Sequence, residues 1–198
     1  MNIASFVIYC VVVTFTPGPT NIVILSTVQG YGTKNAMEYA YGATLAFGAL
    51  LAISAILNTL LVAVIPKILM IMQVVGSLYI VYLAYQIYQM DTSSSAGQQV
   101  ATFQTGFIMQ FVNPKVVLFT MTVIPGFVMP YHTETSALTL FVAMITAIGF
   151  LAFVTWVIFG AIFKELLTKH QRLVNTSMSA FLIYSAIMGS GLVELLGR

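Results

Sequence analysis

Thr16-Pro17-Gly18-Pro19-Thr20-Asn21 interrupts a stretch without a single charged residue, from Met1 to Thr33. Pro17 and Pro19 each lack an amide donor and clash with the preceding turn, and Gly18 takes dihedrals that other residues resist, so a helical hydrogen-bond ladder cannot run through. The stretch is long enough for a membrane span of about 20 residues. In hydrocarbon each released backbone group costs several kcal/mol, so a broken helix persists only where protein or a watery cavity covers the break. The same problem occurs a second time, where Asn113-Pro114-Lys115 interrupts an apolar run from about Phe103 to Val128.

The surrounding chain supports reading both as membrane helices. Of its 198 residues 60% are hydrophobic and 6% are charged, against about 25% charged in a soluble domain. Charge-free runs cover Tyr39 to Pro66, Ile68 to Met90, Thr135 to Phe163 and Leu173 to Val193 as well. Six spans follow, at 3–26, 38–63, 68–90, 104–128, 136–163 and 176–196. The connectors are short: Gly30 to Lys34, Pro66-Lys67, Asp91 to Gln99, Pro130 to Thr135 and Lys164 to Asn175. A β-barrel would need strands of about 10 residues with alternating polarity, and these runs are longer and apolar on all sides. The fold class expected is therefore an all-α integral membrane protein, one transmembrane domain over 1–198. Its first span has no basic leader or small-residue cleavage site and reads as a retained helix.

Pro17 and Pro114 stand 97 residues apart, each in the first span of a three-span half. An odd number of spans per half inserts the second half upside down, which predicts two inverted repeats, 1–90 and 104–198, with helices 1 and 4 broken. Lys34, Lys164, Lys169 and Arg172 lie on one side, and Lys67 and Arg198 on the other. That bias makes the first side cytoplasmic and puts both termini outside.

The two breaks are expected to face each other near the bilayer midplane. Released carbonyls and half-helix amides, together with Thr16, Thr20, Asn21 and Asn113, can there hold the charged ends of a small zwitterion. Lys115 has about ten apolar residues on either side, roughly 15 Å of helix, which sets it near the middle of its span. A cation in that place is functional by default. It binds a substrate carboxylate, neutralises the negative end of a half-helix, or cycles between charged and neutral forms; the structural alternative is snorkelling from a helix that starts later. Helix 3 carries Tyr79, Tyr82, Tyr85 and Tyr88 with Gln86 and Gln89, a stripe that reads first as an interfacial anchor. Asn58 and Gln73 read as interhelical hydrogen-bond partners, and Glu38 and Glu194 as solvated span ends.

Several classes of function are excluded. A net charge of +2 builds no basic stripe for nucleic acid. The single Cys10 rules out a disulfide framework and zinc spacing. His132 and His170 fall in loops, Asp91 is the only Asp, and no span holds two acids, so neither enzyme, metal centre nor cofactor is expected.

At these motifs the chain resembles the LysE/RhtB family of bacterial amino-acid exporters. The likeness is carried by Thr16-Pro17-Gly18-Pro19-Thr20-Asn21, by Gly32-Thr33-Lys34 leading to Gly42, and by Gly76-Ser77-Leu78-Tyr79 with Tyr82-Leu83. It extends through Thr105-Gly106-Phe107, Phe111-Val112-Asn113-Pro114-Lys115 and Pro125. In helix 2, Ala46 stands where the family often has Gly, and Phe47 where it often has a polar residue. The resemblance implies a small exporter of the bacterial inner membrane, driven by the proton-motive force and often a homodimer, taking an amino acid or derivative as its small-molecule substrate.

The expectation is thus a secondary active transporter working by alternating access. Its substrate-binding residues are Thr16, Pro17, Gly18, Pro19, Thr20, Asn21, Asn113, Pro114 and Lys115, with Lys115 on the carboxylate. The alternative is a structural or accessory membrane subunit, which has no need of matched helix breaks.

Overall fold

Asn2 starts the first helix by accepting a hydrogen bond from the Ser5 amide at 3.2 Å, and α1 then runs over Ile3–Phe15. Thr16 leaves the helix with φ −61° and ψ 141°, the extended conformation forced on a residue that precedes proline. Pro19 opens α2, Pro19–Tyr31, at a position where its missing amide costs nothing. The two halves meet at 48°. Gly32, the only residue with positive φ (87°) among those described, then turns the chain in a single step into α3, Thr33–Ile56. The computed structural model describes residues 2–57, 74–89 and 101–189.

The second break has the same logic. The side chains and amides of Thr102 and Thr105 cap each other to open α5, Phe103–Val112. Asn113 is extended ahead of Pro114, and α6 covers Pro114–Val123, at 68° to α5 over the whole bent pair. Pro125 then widens the next turn: Ile124–Val128 is π-helical, closed by the Met129 amide on the Ile124 carbonyl at 3.0 Å, because proline cannot donate to an α-helical ladder. The other helices are α4, Val74–Tyr88, α7, Thr135–Ile162, α8, Lys164–Lys169, and α9, Gln171–Gly189. All regular elements among the described residues are helical.

Among the described residues two helices, α3 and α7, are each long and apolar enough to cross a bilayer, and the count rises to four if each bent pair is one span. The expected helix ends need correction in three places. The second span begins at Thr33 rather than 38, so the connector expected at Gly30 to Lys34 shrinks to Gly32. The last begins at Gln171 rather than 176, and α8 lies inside the connector expected at Lys164 to Asn175. The reason is common to all: charged residues mark the edge of hydrocarbon, and a helix continues past that edge into water. The ends expected at 63, 68 and 196, the connectors Pro66-Lys67 and Asp91 to Gln99, and Asn58, Gln73, Glu194 and Arg198 lie outside the described residues.

The packing is that of a membrane bundle. Large apolar side chains point outward, among them Leu140, Leu151, Ile158 and Ile162 of α7, whereas Thr20, Asn21, Gln110 and Asn113 are buried. An apolar surface this extensive seeks lipid or protein. The α3 and α5 backbones touch: a Cβ on Gly42 would overlap the Phe103 carbonyl oxygen, and one on Gly106 the Tyr39 carbonyl oxygen. As the position rises from 39 to 42 on one helix it falls from 106 to 103 on the other, so the pair is antiparallel. Packing is therefore the role of Gly42, as its spacing suggests. α4 and α9 are likewise antiparallel, tied by the Ser77 hydroxyl on the Ala186 carbonyl at 2.9 Å and the Ser179 hydroxyl on the Ala84 carbonyl at 2.8 Å. Tyr82, Tyr85 and Tyr88 project outward from α4, and the first two accept hydrogen bonds from Gln86 and Gln89.

Candidate functional site

The last carbonyls of a helix have no partners within it, and at the end of α1 side chains supply nearly all of them. Thr16 donates its hydroxyl to Val13 O at 3.0 Å, and shares it with Val12 O, which already accepts the Thr16 amide. Asn21 Nδ2 reaches Thr16 O at 3.0 Å and Thr14 O at 3.4 Å. From α7, the indole of Trp156 donates to Phe15 O at 3.2 Å. Across the second break comes Lys115, whose Nζ lies 2.9 Å from Thr16 O, 3.1 Å from Thr16 Oγ1 and 3.4 Å from Pro17 O. A cation at the carbonyl end of a half-helix also meets the negative end of its dipole.

The stem of the same lysine explains Gly18. Its φ is −162°, ordinary extended backbone, so conformation does not demand glycine. Space favours it: a Cβ there would sit 3.2 Å from Lys115 Cδ and 3.3 Å from Nζ, so the lysine side chain would have to shift by a few tenths of an ångström. A third link is Thr20, whose hydroxyl oxygen accepts from Gln110 Nε2 at 3.2 Å and from Asn113 Nδ2 at 3.1 Å. Gln110 and Asn113 are three residues apart, on one face of the α5 end. Asn113 works in both directions, since its Oδ1 accepts the Lys115 amide at 3.1 Å and caps α6. By contrast, no side chain caps α2.

A cavity opens where the breaks meet. It is tight, with about 30 Å³ of water-accessible space. Its polar wall is Gly18, Thr14, Thr20, Asn21, Asn113 and Lys115, and its apolar wall is formed chiefly by Phe47 of α3, Phe119 of α6 and Phe153 of α7. Asn21 Oδ1 is buried with no hydrogen-bond partner among the described residues. The wall thus offers an unused acceptor and a cation.

Of the nine residues expected to bind substrate, five line this cavity and four do not. Thr16 and Pro17 are exposed and meet Lys115 through their carbonyls and, at Thr16, the hydroxyl as well. Pro19 is buried and Pro114 half-buried, both outside the cavity wall. Prolines release backbone groups, and have no polar side chain with which to bind. Sequence reasoning missed Thr14, Gln110, Trp156, Phe119 and Phe153, and noted Phe47 only as a departure from the family pattern. Gln110 had a signal, its three-residue spacing from Asn113; Trp156, Phe119 and Phe153 had none beyond their apolar helices.

Fold and site together define a multi-pass helical membrane protein with a polar chamber closed by two broken helices. The chain belongs to the LysE type translocators, whose family model matches residues 11–188. It is accordingly a transporter and not an enzyme. Among its relatives, the cysteine/O-acetylserine efflux protein of Klebsiella pneumoniae subsp. pneumoniae is 29% identical over 186 residues, 93% of this chain and 95% of the relative. The protein of the same description from Escherichia coli (strain K12) has the same identity and coverage. No solved structure matches the chain.

Proposed function

We propose that this chain exports amino acids from the cytoplasm across the bacterial inner membrane, with the chamber between the breaks as its substrate site. One observation carries the reading: Lys115 and Asn21, whose buried Oδ1 has no hydrogen-bond partner among the described residues, line the same cavity. An amino acid presents a carboxylate and an ammonium group close together, so a cation and an acceptor facing one chamber complement both. The uncapped start of α2 adds backbone amides and the positive end of a dipole for the carboxylate. The relatives named for cysteine and O-acetylserine efflux support a zwitterionic cargo.

Alternating access is part of the proposal. A cavity of about 30 Å³ has room for only a few waters, so binding needs the breaks to part, and Lys115 is the contact that must let go. An inverted repeat over 1–90 and 104–198 provides two matched hinges for that motion. Its support is the pattern of packing, in which α3 lies along α5 and α6 while α7 lies along α1 and α2. Proton coupling, homodimeric assembly and outside termini rest on family membership and on the asymmetry of Lys and Arg. Lys115 and Glu38 are the groups on which a proton can travel, with Glu38 at the exposed start of α3.

The test is efflux of labelled cysteine and O-acetylserine from vesicles containing the purified protein. Efflux should exceed that from empty vesicles and should slow when the pH gradient is collapsed. Unchanged efflux on collapse would exclude proton antiport, and no efflux of any amino acid would favour an accessory subunit.

The breaks should also be required for turnover. With Ala at positions 17 and 19 both amides return and the bend of 48° loses its cause. Transport is expected to fall about tenfold or more while the yield of folded protein changes little, as a helix without proline is intrinsically easier to form. Equal transport by the double variant would remove the hinge from the mechanism.

A further inference from the structure

We propose that the chamber selects amino acids with uncharged, apolar side chains, and that Phe47 is the residue that sets this specificity. The inference rests on the export reading above and concerns the part of the substrate beyond its ammonium and carboxylate groups.

The wall divides by chemistry. Every polar contributor comes from the two broken helices, which also supply Phe119 on α6, whereas the unbroken α3 and α7 bring only Phe47 and Phe153. The Phe47 and Phe119 rings are nearly parallel, with centroids 5.9 Å apart and 3° between planes. Phe153 meets Phe47 almost edge-on, at 6.5 Å and 75°. All three are buried, and Phe47 is common to both ring pairs. Phe47 and Phe119 belong to one apolar cluster of the core and Phe153 to the other, so the aromatic wall is the seam between them.

Phe47 is held in place from behind. A Cβ on Gly149 of α7 would come within 2.6 Å of Phe47 Cε1 and 2.9 Å of Cδ1, so the ring lies directly on the α7 backbone. With Phe119 beside it at 5.9 Å and Phe153 at 6.5 Å, the ring is braced from α6 and α7.

Electrostatics give the same answer. Among the described residues no Asp or Glu lines the chamber, and Lys115 is its one charged residue. A substrate with a cationic side chain would bring a second positive charge beside Lys115 with no counterion. A cation–π contact with phenylalanine recovers only part of the desolvation cost. A substrate with two carboxylates would have one cation between them. An uncharged apolar side chain meets neither penalty and gains burial against the three rings.

The experiment measures uptake of a labelled panel into proteoliposomes by counterflow: methionine and leucine, against lysine and glutamate. The wild type is expected to exchange the neutral pair at least about tenfold faster than the charged pair. Phe47→Ala, which enlarges the chamber, should raise the leucine-to-alanine rate ratio. Gly149→Ala, acting through the ring, should lower that ratio by pushing Phe47 forward. Because a truncated core residue can fail to fold, Phe47→Leu is measured beside it, and the wild-type panel stands without any variant. Lysine or glutamate exchanged as fast as leucine, or a ratio that neither position moves, would overturn the selectivity while leaving export intact. No exchange of any amino acid would overturn the export reading and this proposal with it.

Discussion

Lys115→Met is expected to abolish transport while the protein still inserts and purifies as the wild type does. The side chain keeps its length and loses its charge, so the Thr16 and Pro17 carbonyls are deprived of the ammonium that now bridges the breaks. The structural cost is limited, about 1–2 kcal/mol for the hydrogen bonds that Nζ donates, because Asn21 Nδ2 still serves Thr16 O. For transport the penalty is larger. Removing one side of a charge-assisted contact to a substrate carboxylate costs about 2–5 kcal/mol, a drop of roughly thirtyfold to several thousandfold at 1.4 kcal/mol per decade. Initial efflux rates, compared at equal protein as judged by gel filtration in detergent, check this. Wild-type rates in the variant would mean that the lysine reaches an interface and takes no part in the site.

Gly106→Val should have the opposite profile, with loss of the fold itself. A side chain at 106 would occupy the place of the Tyr39 carbonyl oxygen, and backbone cannot yield as a side-chain tip can. The α3 and α5 backbones would have to separate where they touch, with Tyr39 buried between them. Overpacking costs typically about 1–3 kcal/mol even when side chains can adjust. At about 2–4 °C of Tm per kcal/mol, that alone is a loss of roughly 2–12 °C, and the backbone overlap adds to it, together with a fall in the monodisperse yield. Gly42→Val, against the Phe103 carbonyl oxygen, should behave in the same way. A stable, monodisperse variant would show that the two helices are less closely bound than their backbone approach implies.

The outcome for the sequence reading divides along physical lines. The breaks and their meeting were legible, because hydrocarbon forbids exposed backbone and two interrupted spans can hide only against protein. Lys115 was legible for a related reason, since a charge that far from the bilayer edge needs partners. What the reading named too freely were the prolines. Pro17, Pro19 and Pro114 cause the interruptions, and the cavity wall is made by their neighbours. Asn113, expected to orient a substrate, spends its oxygen on the start of α6 and its amide on Thr20. Of the aromatic wall only Phe47 drew notice, as a departure from the family pattern, and its place in the wall was not legible. In helices apolar on every side, periodicity cannot distinguish a Phe against a chamber from a Phe against lipid, and Phe47, Phe119 and Phe153 are brought together only by the crossing of three helices. Trp156 escaped notice for the same reason, though it is the one tryptophan in the chain.

Gly18 and Lys115 each follow the proline of their own break by one residue, and in space they touch. In the proposed repeat these are counterpart positions, and counterparts that meet must divide one volume between them. Two lysines would bring like charges together, and two glycines would leave the carbonyl end of α1 without a cation. A protein built from the fusion of equal halves therefore has to become unequal here, one copy surrendering its side chain so that the other can cross over. In a repeat of that kind strict symmetry ends where Gly18 meets Lys115, and the two sides of the contact differ in charge.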